Sequence, residues 1–133
     1  MSLALALPLA LGLPLGELSP VTDARAQSME IVNTEQTVPT ARIVLRGLDT
    51  LNGTARDIEV GAGETTRYGH LEIVADTCRV PKSDPQGDAF AFLRIRDIRE
   101  EEPRFSGWMF ASSPALSALD HPRYDVWVVS CSN

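Results

Sequence analysis

The sequence is poor in the residues that most often mark a catalytic, metal-binding or nucleic-acid-binding protein. Its 133 residues include two histidines, two cysteines and a single lysine, Lys82. The formal net charge is −6 at pH 7, so neither nucleic acid nor an anionic lipid surface would attract the chain electrostatically. We therefore expect no nucleic-acid partner. With so few histidines, cysteines and lysines, the sequence also offers few side chains for catalysis or metal binding.

Metal binding has little support in the spacing of the candidate ligands. His70 and His121 stand far apart, and the sequence has neither a His-x-x-x-His pair nor a Cys/His cluster. Asp120 and Asp125 could add oxygen donors, but a metal site needs several convergent ligands. His121 precedes Pro122, where a turn held by backbone hydrogen bonds is the simpler interpretation. We predict neither a metal nor a cofactor.

The chain also lacks an apolar run long enough to span a membrane, which needs about 20 residues. Its longest such run, Leu3–Leu15, is rich in Leu and Ala and is followed by Ala24-Arg25-Ala26. Small residues at the first and third positions of that triplet fit a signal peptidase. We expect a secretory signal peptide at residues 1–26, a periplasmic mature protein, and no membrane span after cleavage.

Export determines how the two cysteines are interpreted. Cys78 and Cys131 are an even pair, and in an oxidising compartment such a pair can form a persistent disulfide. Closing this loop would stabilise the fold by about 4 kcal/mol if the native geometry is unstrained. Two separate buried thiols are the alternative. A redox-catalytic pair is not favoured, because the sequence has no Cys-x-x-Cys.

The rest of the chain predicts one domain built of strands. We expect a flexible leader or strand-like arm at residues 27–40 and a single β domain at 41–133. Apolar and charged residues alternate in Ala41–Leu48 and in Arg56–Val60, as in half-buried strands. Asn52-Gly53 between them favours a turn in which both residues have positive φ. These two strands predict a hairpin.

The most apolar strand candidate is Ala89–Ile98, which predicts a central strand buried on both faces. Simple alternation in His70–Val80 places Cys78 on the face opposite Leu71, and in Tyr124–Cys131 it places Trp127 on the same face as Cys131. Phe105–Ala111 is the remaining strand candidate.

Only Ser113–Leu119 looks helical, with Ser112 or Ser113 as N-cap and Pro114 in the first turn. About six short strands separated by turn signals, together with this one short helix, predict an all-β fold. We expect a small antiparallel sandwich or a partly closed barrel.

The segment from Phe105 to Cys131 is the unusual part of the chain, since it contains both tryptophans and two of the four phenylalanines. Within it, Gly-Trp-Met-Phe-Ala-Ser-Ser-Pro is followed by Asp-His-Pro-x-Tyr-Asp-Val-Trp. These runs, together with Leu48-Asp49 and Phe90-Ala91-Phe92, resemble the uncharacterised alphaproteobacterial family called domain of unknown function 2155. The resemblance covers roughly residues 41–131.

This resemblance implies a small exported protein with no assigned activity. It also implies genes that often lie near one for an accessory subunit of respiratory complex I. Such an association is not a mechanism, but it makes the periplasmic face of that inner-membrane complex the most concrete candidate partner.

Two interpretations of the aromatic cluster stay open: core packing beside a disulfide, or an exposed contact surface. Trp, Met and Phe are enriched at the centres of protein interfaces. Our leading hypothesis is therefore a non-catalytic protein-binding or accessory component of the envelope. The residues expected at the contact are Trp108, Met109, Phe110, Ser112, Ser113 and His121.

Two further classes remain as alternatives. A hydrolase would use Ser112 or Ser113 as nucleophile with His121 as base, but it needs an oxyanion hole, and no Gly-x-Ser-x-Gly elbow is present. A small-ligand carrier would need an aromatic-lined cavity. The sequence names no specific activity for either one.

Overall fold

The computed structural model describes Gly12 and residues 36–133, and these residues form two antiparallel sheets. The all-β prediction is confirmed, but the described residues contain eight strands rather than about six. The strands are β1 (Thr37–Thr40), β2 (Arg42–Asp49), β3 (Thr54–Gly61), β4 (Glu64–Tyr68), β5 (Leu71–Pro81), β6 (Phe90–Asp97), β7 (Phe105–Phe110) and β8 (Tyr124–Ser132).

The two sheets are separate layers, so the fold is a sandwich and not a closed barrel. The first sheet has the order β1-β5-β6-β7, and β4 pairs with β5 as well. β1 and β4 occupy the same edge of the long strand β5, β1 opposite residues 78–81 and β4 opposite residues 71–75. The second sheet has the order β3-β2-β8.

The described residues cover only the end of the expected flexible leader or strand-like arm, residues 36–40. Residues 1–26, the expected signal peptide, lie outside the described part of the chain apart from Gly12. Of the expected leader, residues 37–40 form β1, which pairs antiparallel with β5. In the part of the chain that the structure describes, no helix has the length and apolar character needed to cross a membrane.

The β2–β3 hairpin is present, but its turn is not the two-residue Asn-Gly turn. Asp49 pairs with Thr54, which leaves four residues in the loop, and only Gly53 among them has a positive φ, of 67°. The Asp49 carboxylate accepts hydrogen bonds from the Leu51 backbone N–H at 3.0 Å and from the Asn52 side chain at 3.2 Å. This carboxylate organises a longer turn, which local propensity did not predict.

The predicted helix is shorter than expected. Of Ser113–Leu119 only Pro114–Leu116 is helical, as a single 3₁₀ turn, and no side chain caps it. Leu119 is buried against the core and so anchors the connection between β7 and β8.

One apolar core fills the space between the sheets. In β2 every second residue is buried, and in β6 Ala91, Leu93 and Ile95 face the core. Alternation of this kind is what a sheet with one covered face requires. β6 lies between β5 and β7, so it is an interior strand, as predicted. It is not buried on both faces, because Phe92 and Arg96 are partly exposed and Arg94 is exposed.

A β-bulge in β5 turns Cys78 toward the core. The pairing of β5 with β6 shifts between Ala75 and Thr77, so that Asp76 is an extra residue. Beyond the bulge the alternation is reversed, and Cys78 is fully buried in the same cluster as Leu71. The prediction that these two residues lie on opposite faces was wrong, because it assumed an uninterrupted strand.

A second bulge does the same for Cys131. Leu45 pairs with Val128 but Val44 pairs with Ser130, which leaves Val129 as the extra residue in β8. Cys131 then lies opposite Ile43, a core residue, whereas Trp127 points to the outer face of the second sheet. The prediction that Trp127 and Cys131 share a face was therefore wrong.

The two bulges bring the cysteines together across the sandwich. Cys78 and Cys131 form a disulfide with a Cα–Cα distance of 6.1 Å, within the range that disulfides span. The bond joins β5 of the first sheet to β8 of the second. It therefore clamps the two layers to each other near the C-terminus.

Candidate functional site

Asp97, the last residue of β6, is a fully buried carboxylate. Its Oδ1 accepts hydrogen bonds from the backbone N–H and the Nε of Arg99, each at 3.0 Å. Its Oδ2 is 2.8 Å from the second Arg99 nitrogen and 2.9 Å from Nε2 of His121. The hydrogen bonds from Arg99, and next from His121, hold the pKa of Asp97 far below its usual range. These hydrogen bonds therefore favour the charged form of the carboxyl group.

His121 is a structural residue and not a surface contact. Its side chain is 1% exposed, so its expected place in an interaction surface was wrong. Nδ1 accepts the backbone N–H groups of Arg123 at 3.0 Å and Tyr124 at 3.1 Å. Nε2 therefore carries the ring hydrogen and donates a hydrogen bond to Asp97. As predicted, the ring fixes the turn at Pro122 through backbone hydrogen bonds.

The serines do not complete a hydrolytic site with this histidine. Ser112 donates its hydroxyl to Asp88 Oδ2 at 2.5 Å, and its backbone N–H to Asp88 Oδ1 at 2.9 Å. The lone pair of His121 that a general base would use is occupied by two backbone donors. Within residues 36–133, neither Ser112 nor Ser113 makes a hydrogen bond to His121. The geometry therefore does not fit the Ser–His alternative.

A second charged network closes the same end of the sandwich. Arg123 contacts both oxygens of Asp49, at 3.1 and 2.9 Å, and lowers the pKa of that carboxyl. The Arg123 guanidinium also lies 5.0 Å from the centre of the Tyr124 ring, which meets Tyr68 edge-on at 5.6 Å. The ion pair between Asp49 and Arg123 therefore ties the end of β2 to the start of β8.

The outer face of the first sheet carries an aromatic face, which we define as Phe90, Phe92, Trp108 and Phe110. Phe90 and Phe110 meet edge-on with ring centres 5.8 Å apart, and Phe92 and Trp108 do so at 5.4 Å. Each pair is a direct cross-strand partner between β6 and β7. Phe90 and Phe110 are buried, whereas Phe92 and Trp108 stay partly exposed.

Met109 does not belong to this surface. It points to the opposite side of β7 and is 1% exposed, within the core cluster. The expectation that Met109 contributes to a contact surface was wrong, and Phe110, 2% exposed, supports the face without being accessible itself. Of the three residues Trp108–Phe110, only Trp108 can touch a partner.

The connection after β7 lies beside Trp127 of β8. Together they form a surface recess of about 350 Å³ lined by Pro114, Ala115, Ala118, Asp125, Val126 and Trp127. One aromatic side chain lines it, so it is not the aromatic-lined cavity that a carrier would need. Sequence reasoning considered Asp125 as a candidate metal ligand and left the aromatic residues, Trp127 among them, between core packing and an exposed contact surface. In the structure Trp127 is partly buried and packs against the core cluster. Asp125 and Trp127 are two residues apart in a predicted strand, and this spacing could have predicted that their side chains line one surface.

The candidate metal ligands do not converge in the part of the chain that the structure describes. Within the described part of the chain, no three His, Cys, Asp or Glu side chains lie close enough together to hold a metal ion. His70 packs edge-on against Tyr124 with ring centres 6.0 Å apart, and His121 lies against the same ring at 5.3 Å. Among the described residues, no third ligand joins the two histidines to form a metal-binding group.

Comparison with known proteins assigns the family. The model of an uncharacterized protein conserved in bacteria, DUF2155, matches residues 43–131. The chain belongs to the DUF2155 family. This confirms the resemblance of the Trp108 and Trp127 segments to that family.

The curated relative that matches this DUF2155 chain has no activity in its name. An uncharacterized protein of Rickettsia prowazekii (strain Madrid E) is 31% identical over 88 residues, which are 63% of this chain and 56% of that protein. The chain thus spans little more than half the length of this curated relative. No solved structure matches this chain.

Proposed function

We propose that this DUF2155 protein is an exported, non-catalytic binding protein that contacts another protein through its aromatic face. The observation that carries the proposal is the outward position of Phe92 and Trp108. The other face of the same strands already covers the core, so the sandwich does not need these two rings there. Partly exposed Trp and Phe are the residue types that dominate interface centres.

The polar groups of the sandwich favour binding over catalysis. Asp97, Arg99 and His121 satisfy one another, and the Ser112 hydroxyl is bonded to Asp88. A catalytic base or nucleophile needs a free lone pair directed at a substrate. In this cluster those lone pairs are occupied by structural hydrogen bonds.

Two features support export as part of this proposal. The disulfide between Cys78 and Cys131 is a bond that persists mainly in oxidising compartments such as the periplasm. The apolar segment Leu3–Leu15 followed by Ala24-Arg25-Ala26 has the pattern of a cleaved signal. The gene neighbourhood implied by the family resemblance makes respiratory complex I the first partner to test.

The experiment is affinity capture of the tagged mature protein from envelope extracts in a gentle detergent. We expect Trp108→Ala to leave cooperative unfolding intact and to reduce partner recovery about 30-fold, as for an interface hot spot of about 2 kcal/mol. Leu51→Ala is the matched control, because Leu51 is 73% exposed and lies on the hairpin away from the aromatic face.

Equal recovery by the Trp108→Ala and Leu51→Ala proteins would reject the aromatic face as the contact. Immunoblots for complex I subunits on the same eluates test the named partner. Capture of a different envelope protein, lost in Trp108→Ala, would keep the binding function and exclude complex I.

A further inference from the structure

The recess between the Pro114–Ala118 segment and β8 combines apolar walls with one carboxylate. Pro114, Ala115 and Ala118 supply the apolar surface, and Asp125 and Trp127 supply a negative charge and an indole ring. The Val126 side chain is buried in the core and adds no apolar wall. Asp125 and Trp127 are two residues apart on one face of β8, so their side chains project in the same direction.

Asp125 has no cationic partner in the part of the chain that the structure describes. Among the described residues, none donates a hydrogen bond or forms an ion pair with its side chain. Arg46 lies opposite Trp127 in the pairing of β2 with β8. Its guanidinium, however, is held by Asp57, at 2.7 and 3.3 Å. The positive charge of Arg46 is thus already paired with Asp57 and does not neutralise Asp125.

A recess with a carboxylate, an indole ring and apolar walls should favour a ligand with a positive charge at the end of an apolar chain. A carboxylate attracts an ammonium or guanidinium group, and an indole face attracts the same charge through its ring electrons. The alanine and proline walls would cover methylene groups. A volume of about 350 Å³ is at the small end of ligand pockets, which suits one long side chain better than a large ligand.

We propose that the recess formed by Asp125, Trp127 and the Pro114–Ala118 segment binds a lysine or arginine side chain of a partner polypeptide. The complementary charge and the open, shallow position between a strand and a surface connection favour a side chain presented by a larger surface. This site is on the second sheet, whereas the aromatic face is on the first. The proposal therefore does not depend on Trp108.

The test is a titration of isotope-labelled mature protein followed by NMR. The probe is Nα-acetyl-lysine methylamide, and its neutral counterpart carries an acetyl group on the side-chain nitrogen as well. We expect a saturable shift of the Trp127 indole N–H and of the residue 115–118 amides at millimolar probe, weakened by salt. The neutral counterpart should give no saturable shift. Trp108→Phe identifies which of the two indole signals belongs to Trp127.

Asp125→Asn should weaken binding of the charged probe about 5-fold, since it removes the charge and keeps the shape. Asp120→Asn, on the exposed part of the same connection, is the matched control and should bind like the native protein. The amide spectrum away from β8 reports whether each variant is folded. No saturable shift up to 100 mM, or equal binding by the Asp125→Asn protein or by the neutral probe, would overturn the proposal.

A second pair of probes tests the source of the cation. A blocked Gly-Gly-Lys-Gly-Gly peptide should bind at least about 3-fold more tightly than butylammonium, because a partner polypeptide would also contact the rim of the recess. Equal affinities would show that the recess reads an ammonium group alone and would reject a polypeptide partner there. Neither result bears on the aromatic face, so the two proposals fail separately.

Discussion

Asp97 is the residue on which the acid stability of this protein should depend most. A buried carboxylate is costly unless its oxygens are satisfied, and here Arg99 and His121 satisfy both of them. Its pKa is lowered in the folded state, so the unfolded chain takes up a proton first as the pH falls. The stability that Asp97 contributes is present above its ordinary pKa and is lost as the pH falls below about 4.

Asp97→Asn should therefore lower the melting temperature at pH 7 by roughly 5–10 °C. The variant should also lose less stability than the native protein between pH 5 and pH 2. Thermal unfolding followed by circular dichroism across that range measures both effects. Asp57→Asn, which breaks an exposed pair with Arg46, is the control and should change little. Identical acid sensitivity in the native and Asp97→Asn proteins would contradict this assignment.

Gly47 is required on β2 because the Tyr68 ring lies on it. A Cβ at this position would come within 2.7 Å of the ring, closer than carbon atoms approach without displacement. Gly47→Ala should destabilise the fold by about 1–3 kcal/mol through overpacking, measured by urea unfolding. Gly107→Ala on β7 is the matched control, since its Cβ would meet only the Phe105 ring at 3.6 Å. If both variants were equally stable, the close packing of Tyr68 on β2 would be in doubt.

At the scale of secondary-structure elements, the bulges determine which way the cysteines face. A one-residue change in a strand moves every following side chain to the other face. Asp76 in β5 and Val129 in β8 are the extra residues, and each precedes a cysteine by two positions. Without both bulges the two sulfur atoms could not meet between the sheets.

Deleting Asp76 should therefore abolish the disulfide. With the alternation of β5 restored, Cys78 would point to the outer face of the first sheet, and both thiols should react with Ellman's reagent after expression in an oxidising compartment. Asp76→Ala retains the chain length and is the control, in which the thiols should stay unreactive. A bridged Asp76-deletion protein with native stability would show that the bulge does not orient Cys78.

At the scale of the whole molecule, the disulfide is the covalent link between the two layers. Replacing Cys78 and Cys131 together by serine should lower the free energy of unfolding by about 4 kcal/mol, because the cross-link restrains a loop of 53 residues in the unfolded chain. Urea unfolding of the variant, compared with the native protein with and without reductant, gives this difference. A native urea midpoint in the double variant would indicate that the core alone holds the layers together.

The sequence by itself determined the all-β class, the β2–β3 hairpin and the DUF2155 family, because alternation, turn residues and family motifs are local signals. The pairing of Cys78 with Cys131 was expected from their even number and from the expected export, with two separate thiols as the alternative. The structure forms the disulfide. Local signals also predicted the turn at His121, whereas of the helix predicted for Ser113–Leu119 only Pro114–Leu116 is helical.

Tertiary structure decided what those signals could not reach. Strand alternation counts residues along one chain, so it could not detect bulges that arise from the register of two paired strands. It consequently assigned Cys78 and Cys131 to the wrong faces of their strands. Burial of Met109 and His121 depends on which face meets the second sheet and on the partner Asp97, which is 24 positions from His121 in the chain. The recess at Asp125 and Trp127 exists only because the β7–β8 connection folds back against β8, and that contact is not written in either segment alone.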